Sequence, residues 1–218
     1  MKKVLLLLSL TASLVLTTAT TSFAMTAYAE GAYGIAKTEY NAVNDGNFGN
    51  LYVGLDCSLV SDIKLKLEGF TGVNKTKYNG NISQIGFEAK GGYRIFDSNG
   101  VMLTPTLGFL YEEFKNNTPA VYTGLMLGAD ASCEVSKSDM IEGSLGFSVY
   151  GRAKYNQNNC NAGLFVAKVR WIHSFSDAID GTIGFRHYYA GGSADENNNE
   201  KKNTFTLSGL TLGMRYNF

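Results

Sequence analysis

The chain has 218 residues, its 19 Lys and Arg are balanced by 19 Asp and Glu, and it carries 25 glycines, 13 tyrosines and 13 phenylalanines but only two prolines. That balance excludes the basic surface a nucleic-acid partner would require. No apolar run of membrane-helix length occurs, and long amphipathic helical periodicity is missing, so a membrane could be crossed only by strands.

The N-terminus reads as an export signal. Met1-Lys2-Lys3 is a charged start, Val4 to Val15 a short apolar run, and two small-x-small sites follow at Ser22-Phe23-Ala24 and Ala27-Tyr28-Ala29. This pattern predicts a signal peptide over 1–29, with Glu30 as the mature start and cleavage after Ala24 as the alternative. No cysteine stands near either site, so no lipid anchor is expected. Without Lys2 and Lys3, 17 basic residues face 19 acidic ones, a net charge of −2.

The remainder, 30–218, is predicted to be one all-β domain. Asn-rich segments at Asn41 to Asn47, Asn74 to Asn81, Lys115 to Pro119, Asn156 to Asn161 and Gly191 to Asn203 alternate with tighter breaks at Ser61-Asp62, Asp97 to Gly100, Ser136 to Asp139 and Ser176-Asp177. Long loops alternating with short turns is the topology of an up-and-down barrel. Five loops and four turns separate ten strands, and an even number places both termini on the periplasmic side. Merging weak segments gives eight strands as the alternative.

The strands show period-two alternation of apolar and polar residues. In the first, Tyr33 and Ile35 share a face with Lys37 and Glu39, which charge cost turns inward. In the second, Leu51, Val53, Leu55, Cys57 and Leu59 point outward against Tyr52, Gly54, Asp56 and Ser58. The third sets Ile63, Leu65 and Leu67 against Lys64, Lys66 and Glu68, and the fourth sets Ile85, Phe87 and Ala89 against Glu88, Lys90 and Arg94. Pro105 interrupts the fifth and predicts a bulge near its periplasmic end. The sixth turns Asp130 and Glu134 inward; the seventh, Glu142, Arg152 and Lys154; the eighth, Lys168 and Arg170; the ninth, Asp180 and Arg186. A charge facing lipid at mid-bilayer costs about 2–4 kcal/mol, so this sorting is informative.

The expected lumen charge network is therefore Lys64, Lys66, Glu68, Glu88, Lys90, Arg94, Asp130, Glu134, Glu142, Arg152, Lys168, Arg170, Arg186 and Arg215. In a narrow barrel such groups fill the interior as ion pairs, since unpaired buried charge is costly. Aromatic belts are expected at both ends: Tyr93, Phe96, Trp171, Phe175, Tyr216 and Phe218 at one, and Tyr40, Tyr111, Phe114, Tyr155, Phe165, Tyr188, Tyr189 and Phe205 at the other.

The last strand alternates cleanly through Leu210, Leu212, Met214, Tyr216 and Phe218. This ending resembles the C-terminal signature of bacterial outer-membrane β-barrels, which implies an assembly signal read by the barrel-assembly machinery. Gly91-Gly92-Tyr93-Arg94, a tight turn and Leu103-Thr104-Pro105-Thr106-Leu107-Gly108 resemble the central hairpin of the small outer-membrane barrels related to OmpX and the OmpA membrane domain. That family is usually eight-stranded; a count of ten resembles the omptin proteases and opacity-type adhesins in size. The resemblance implies residence in the outer membrane among lipid and lipopolysaccharide.

Chemistry-bearing patterns are sparse. An omptin-like site needs Asp-x-His, but Trp171 precedes His173 and Phe185 precedes His187 by two residues. A lipid deacylase pattern needs His-x-Ser, whereas Ser174 follows His173 directly. No metal-ligand or phosphate-cradling spacing occurs, and Cys57, Cys133 and Cys160 read as apolar filler rather than a site. The expectation is a non-enzymatic barrel without cofactor or metal, acting in envelope structure or surface interaction; a narrow pore is the alternative.

Overall fold

The structure, a computed structural model, describes residues 24–39, 43–60, 62–76, 80–115, 120–155, 158–196 and 199–218. The segments are β1 (Ala24–Glu39), β2 (Val43–Val60), β3 (Ile63–Thr76), β4 (Gly80–Tyr93), β5 (Phe96–Ser98), β6 (Val101–Lys115), β7 (Ala120–Glu134), β8 (Asp139–Tyr155), β9 (Asn158–Ser174), β10 (Ile179–Glu196) and β11 (Asn199–Asn217). Short β5 continues β4 after a two-residue break, and both pair with β6, so the segments make ten staves.

Each stave is antiparallel to its neighbours, and β11 pairs with both β10 and β1, from Thr26↔Asn217 to Glu39↔Thr204. The ring is thus closed. The Phe218 N–H donates to the Met25 carbonyl at 3.0 Å, carrying the seam to the last residue. Closure leaves no open edge, which is the condition for strands in hydrocarbon.

Alternation decides the faces. The outside carries Leu65, Leu107, Leu127, Leu145, Trp171, Ile183, Leu212 and their like, and the inside carries most of the charge. Three expectations need correction. In β1 the inward set is Tyr28, Glu30, Ala32, Ala36 and Thr38, while Tyr33 is 67% exposed and Lys37 points out with it. Charge cost misled here because it depends on depth as well as face: Lys37 lies two residues from the loop end of β1, opposite exposed Asp45. Glu39's side chain lies outside the described residues.

The second correction concerns β8. Ser148 pairs with Met126 and Tyr150 with Leu125, so Val149 is an extra residue. Val149 and Tyr150 are both exposed, and beyond them the parity reverses: Gly151 and Ala153 turn inward, Arg152 and Lys154 outward. This is a β-bulge, a device that re-aims side chains. The Ser148 hydroxyl accepts from the Leu164 N–H at 2.8 Å, replacing a ladder bond. A β-carbon at Gly151 would strike the Ala162 carbonyl, so only glycine allows this approach.

Third, Phe114, Tyr188 and Phe205 are buried inside the barrel rather than set in an outer belt. Tyr93, Phe96, Trp171, Phe175, Tyr216 and Phe218 are exposed at the opposite end, as a belt requires. Tyr40 lies outside the described residues, as does the side chain of Tyr155.

Turns and strand ends follow local chemistry. Asn99 and Gly100 both have positive φ between Ser98 and Val101, the backbone of a two-residue primed turn. The irregularity near Pro105 falls in the partner strand: Gly92 pairs with Thr106 and Phe96 with Leu103, leaving three residues of β4–β5 opposite Thr104 and Pro105. At the far end, Gly191 to Asn203 continues the ladder down to Glu196↔Asn199 instead of forming a long loop. The main staves run 14 to 19 residues, well past the roughly 9–11 that cross a bilayer. Replacing Gly151 by Val should destabilise the folded barrel by about 1–3 kcal/mol, read as a lower urea midpoint in lipid vesicles; an unchanged midpoint would contradict the bulge.

Candidate functional site: a partitioned lumen

The interior has two storeys, set by which residues the inward parity delivers at each height. Toward the tight turns and termini it is charged. Glu68 on β3 is 2% exposed and accepts three bonds: from the Tyr28 hydroxyl at 2.7 Å, Lys168 Nζ at 2.8 Å and Arg186 at 2.7 Å. Lys168 stands on β9, opposite β3 in the ring, so this pair spans the bore. Lys168 also reaches Glu88 at 3.4 Å.

A second knot is centred on Arg170. One guanidinium nitrogen meets Glu30 at 2.8 Å and another meets Glu142 at 2.6 Å. Arg215 joins Glu142 at 2.9 Å, and Thr182 donates to Glu30 at 3.3 Å. Lys90 bridges Asp130 at 2.6 Å and Ser144 at 3.0 Å, and Lys66 lies 3.5 Å from Asp56. Removing one partner of a buried ion pair costs about 3–5 kcal/mol, because the other charge is left without compensation.

Not all the expected residues meet in this way. Arg94 pairs with exposed Asp97 at 2.6 Å in a turn. Glu134 is exposed at the strand end, and Lys64 is half-buried at the charged mouth. Arg152 lies outside the barrel, its guanidinium 5.2 Å from the Tyr150 ring centre. Glu30 and Tyr28 fall outside the expected set for two reasons: the predicted signal peptide covers Tyr28, and the face expected inward in β1 is that of Tyr33 and Lys37, the opposite parity.

The storey nearer the hairpin loops is apolar. Phe48, Tyr52, Phe70, Ile82, Leu110, Phe114, Tyr122, Met126, Leu164, Val166, Tyr188, Phe205 and Leu207 are all buried in one cluster. Phe114 on β6 and Phe205 on β11 stand on opposite staves, yet their ring centres are 4.1 Å apart. Aromatic contact therefore crosses the full width of the bore. Set into one wall is an amide cluster: Asn50 donates to Gln84 at 2.8 Å and to Tyr52 at 3.1 Å, and Gln84 donates to buried Glu112. Arg186 links the storeys, its guanidinium 3.8 Å from the Tyr52 ring centre while it bonds Glu68. Such stacking suits a planar, weakly hydrated cation.

Below the apolar storey a cavity of about 170 Å³ opens at the charged mouth, lined among others by Asp56, Lys64, Lys66, Asp130, Lys168 and Arg170. The histidines stand apart from it. His173 bonds Asp139 at 2.9 Å beside Trp171 at the turn end, and His187 faces outward, 2.7 Å from Ser208. The three cysteines are free thiols. Cys57 and Cys133 lie on β2 and β7, well separated around the ring.

Glu68→Ala should lower unfolding stability by about 3–5 kcal/mol, whereas Lys64→Ala should stay within about 0.5 kcal/mol. Urea titration followed by the heat-shifted gel band measures both; equal effects would deny Glu68 its central place.

No family model matches the chain, and no curated protein matches it. Solved structures do. The outer membrane protease OmpT of Escherichia coli aligns with a TM-score of 0.62 at 8% identity, over 91% of this chain and 98% of that one. The translocator domain of autotransporter NalP from Neisseria meningitidis aligns at 0.46 and 11% identity, over 91% and 89%. The toluene transporter TodX of Pseudomonas putida aligns at 0.36 and 6%, over 90% and 89%. At these identities the likeness is one of fold. Closure, the apolar exterior and the likeness of fold to OmpT together make the chain a ten-stranded transmembrane β-barrel of the bacterial outer-membrane type.

Proposed function

We propose that this protein is a closed, non-conducting barrel of the outer membrane, contributing to envelope structure and presenting its projecting strand ends at the cell surface. The observation that carries this reading is the Phe114–Phe205 contact across the bore, embedded in a storey of buried aromatic and aliphatic side chains. Water and ions crossing this layer would have to displace packed apolar groups. The charged storey then acts as an internal brace, and the cavity at its mouth is a blind vestibule. Neither histidine faces that vestibule, which supports a role without catalysis. In planar bilayers the folded protein should give no single-channel steps; reproducible open states would favour the narrow pore instead.

Processing is part of the same reading. Ala24 to Ala29 lie in β1, paired on both sides: Ala29 with Met214 and with Val53, and Ala27 with Tyr216 and with Leu55. A cut after Ala29 would remove Tyr28 from Glu68 and strip β2 and β11 of their ladder partners next to the seam, which is costly. Cleavage after Ala24 keeps the strand. Intact-mass measurement of protein extracted from membranes should give a chain beginning at Met25; a chain beginning at Glu30 would refute this.

A further inference from the structure

We propose that Arg152 and Lys154 form a docking site for the phosphate of an acylated, phosphorylated glycolipid in the outer leaflet. The assignment rests on the outer-membrane placement just proposed. The interior cations Lys66, Lys90, Lys168, Arg170, Arg186 and Arg215 all have carboxylate partners. Arg152 and Lys154 have none among the described residues, and both are exposed. They reach the outside only because the extra residue at Val149 reverses the parity of β8.

Their height suits a headgroup. Beneath them the same wall is apolar, with Phe147, Val149, Leu125 and Phe165 exposed to the surroundings. Directly beneath Arg152 lies Tyr150, and stacking on that ring leaves the guanidinium edge free to donate. On the neighbouring strand Asn161 pairs with Arg152 and Asn159 with Lys154, and both asparagines are exposed. Two cations alternate with two amide donors, immediately above a wall that acyl chains can cover. A tetrahedral anion with several acceptor oxygens matches this donor set, and guanidinium to phosphate is among the stronger charge-assisted bonds. Acyl chains anchored in the leaflet would hold that anion at the required level.

The test uses the full chain folded in detergent and titrated with bis-phosphorylated lipid A, with bound lipid counted by native mass spectrometry. Arg152→Gln with Lys154→Gln should weaken retention about tenfold. Dephosphorylated lipid A should bind the unaltered protein equally weakly and should not distinguish it from the double variant. Lys37→Gln with Lys75→Gln, which changes exposed cations elsewhere, should leave retention unchanged. Equal retention by the double variant, indifference to the phosphates, or an equal loss in the Lys37 and Lys75 control would each overturn the site. If the double variant fails to fold, the comparison of the two lipids on the unaltered protein still decides. A chain that never folds in detergent or lipid would instead refute the barrel reading.

Discussion

In hydrocarbon no backbone N–H or C=O can remain without a partner, and this constraint shapes the rest of the molecule. It obliges the sheet to close, which here means pairing β11 with β1 through to the Phe218–Met25 bond. Closure at ten staves fixes the bore, and a bore of that size must be filled by side chains or by water. Everything inside the barrel answers to that requirement. The charged storey meets it with cross-bore ion pairs and the apolar storey with interlocked rings.

The two storeys solve different problems. Charged groups near the open mouth keep some contact with water, which lowers the desolvation cost of bringing them together. Farther in, apolar packing needs no such compensation, but each polar group placed there must find a partner. Asn50, Gln84 and Glu112 meet part of that demand by bonding one another, while Asn50 Oδ1 and Glu112 Oε2 are left without a partner among the described residues. Arg186 serves both levels by bonding Glu68 and stacking on Tyr52, so the two storeys are joined. The charged mouth and the apolar storey are two results of one filling pattern.

Much of this was legible in the sequence. Alternation gave the inward faces of β2, β3, β4, β7, β9, β10 and β11, and turn chemistry gave the count of ten, because both depend on local backbone rules. Three features were not legible. The bulge at Val149 inserts one residue without changing composition, so parity carried through it placed Arg152 on the wrong side. Lys37 was misassigned because sequence reports the face of a strand but not its depth in the bilayer. Phe114, Tyr188 and Phe205 read as belt residues in sequence because an aromatic near a strand end suits either side of the wall. Only their meeting across the bore distinguishes the two, and that contact depends on the closed ring.

The ties across the bore also bear on how the protein is made. Lys168 and Glu68 are 100 residues apart in the chain, Arg186 and Glu68 118, and Arg170 and Glu30 140. Contacts so distant in sequence cannot guide early folding, since loop-closure entropy must be met before they form. The cross-bore part of the brace is therefore a late product: a growing sheet of a few hairpins holds only half of each of these three pairs, although Asp56–Lys66 and Glu142–Arg170 already meet between adjacent strands. Locking comes in one step, when the first and last staves meet, so partial barrels stay pliable until the moment of sealing.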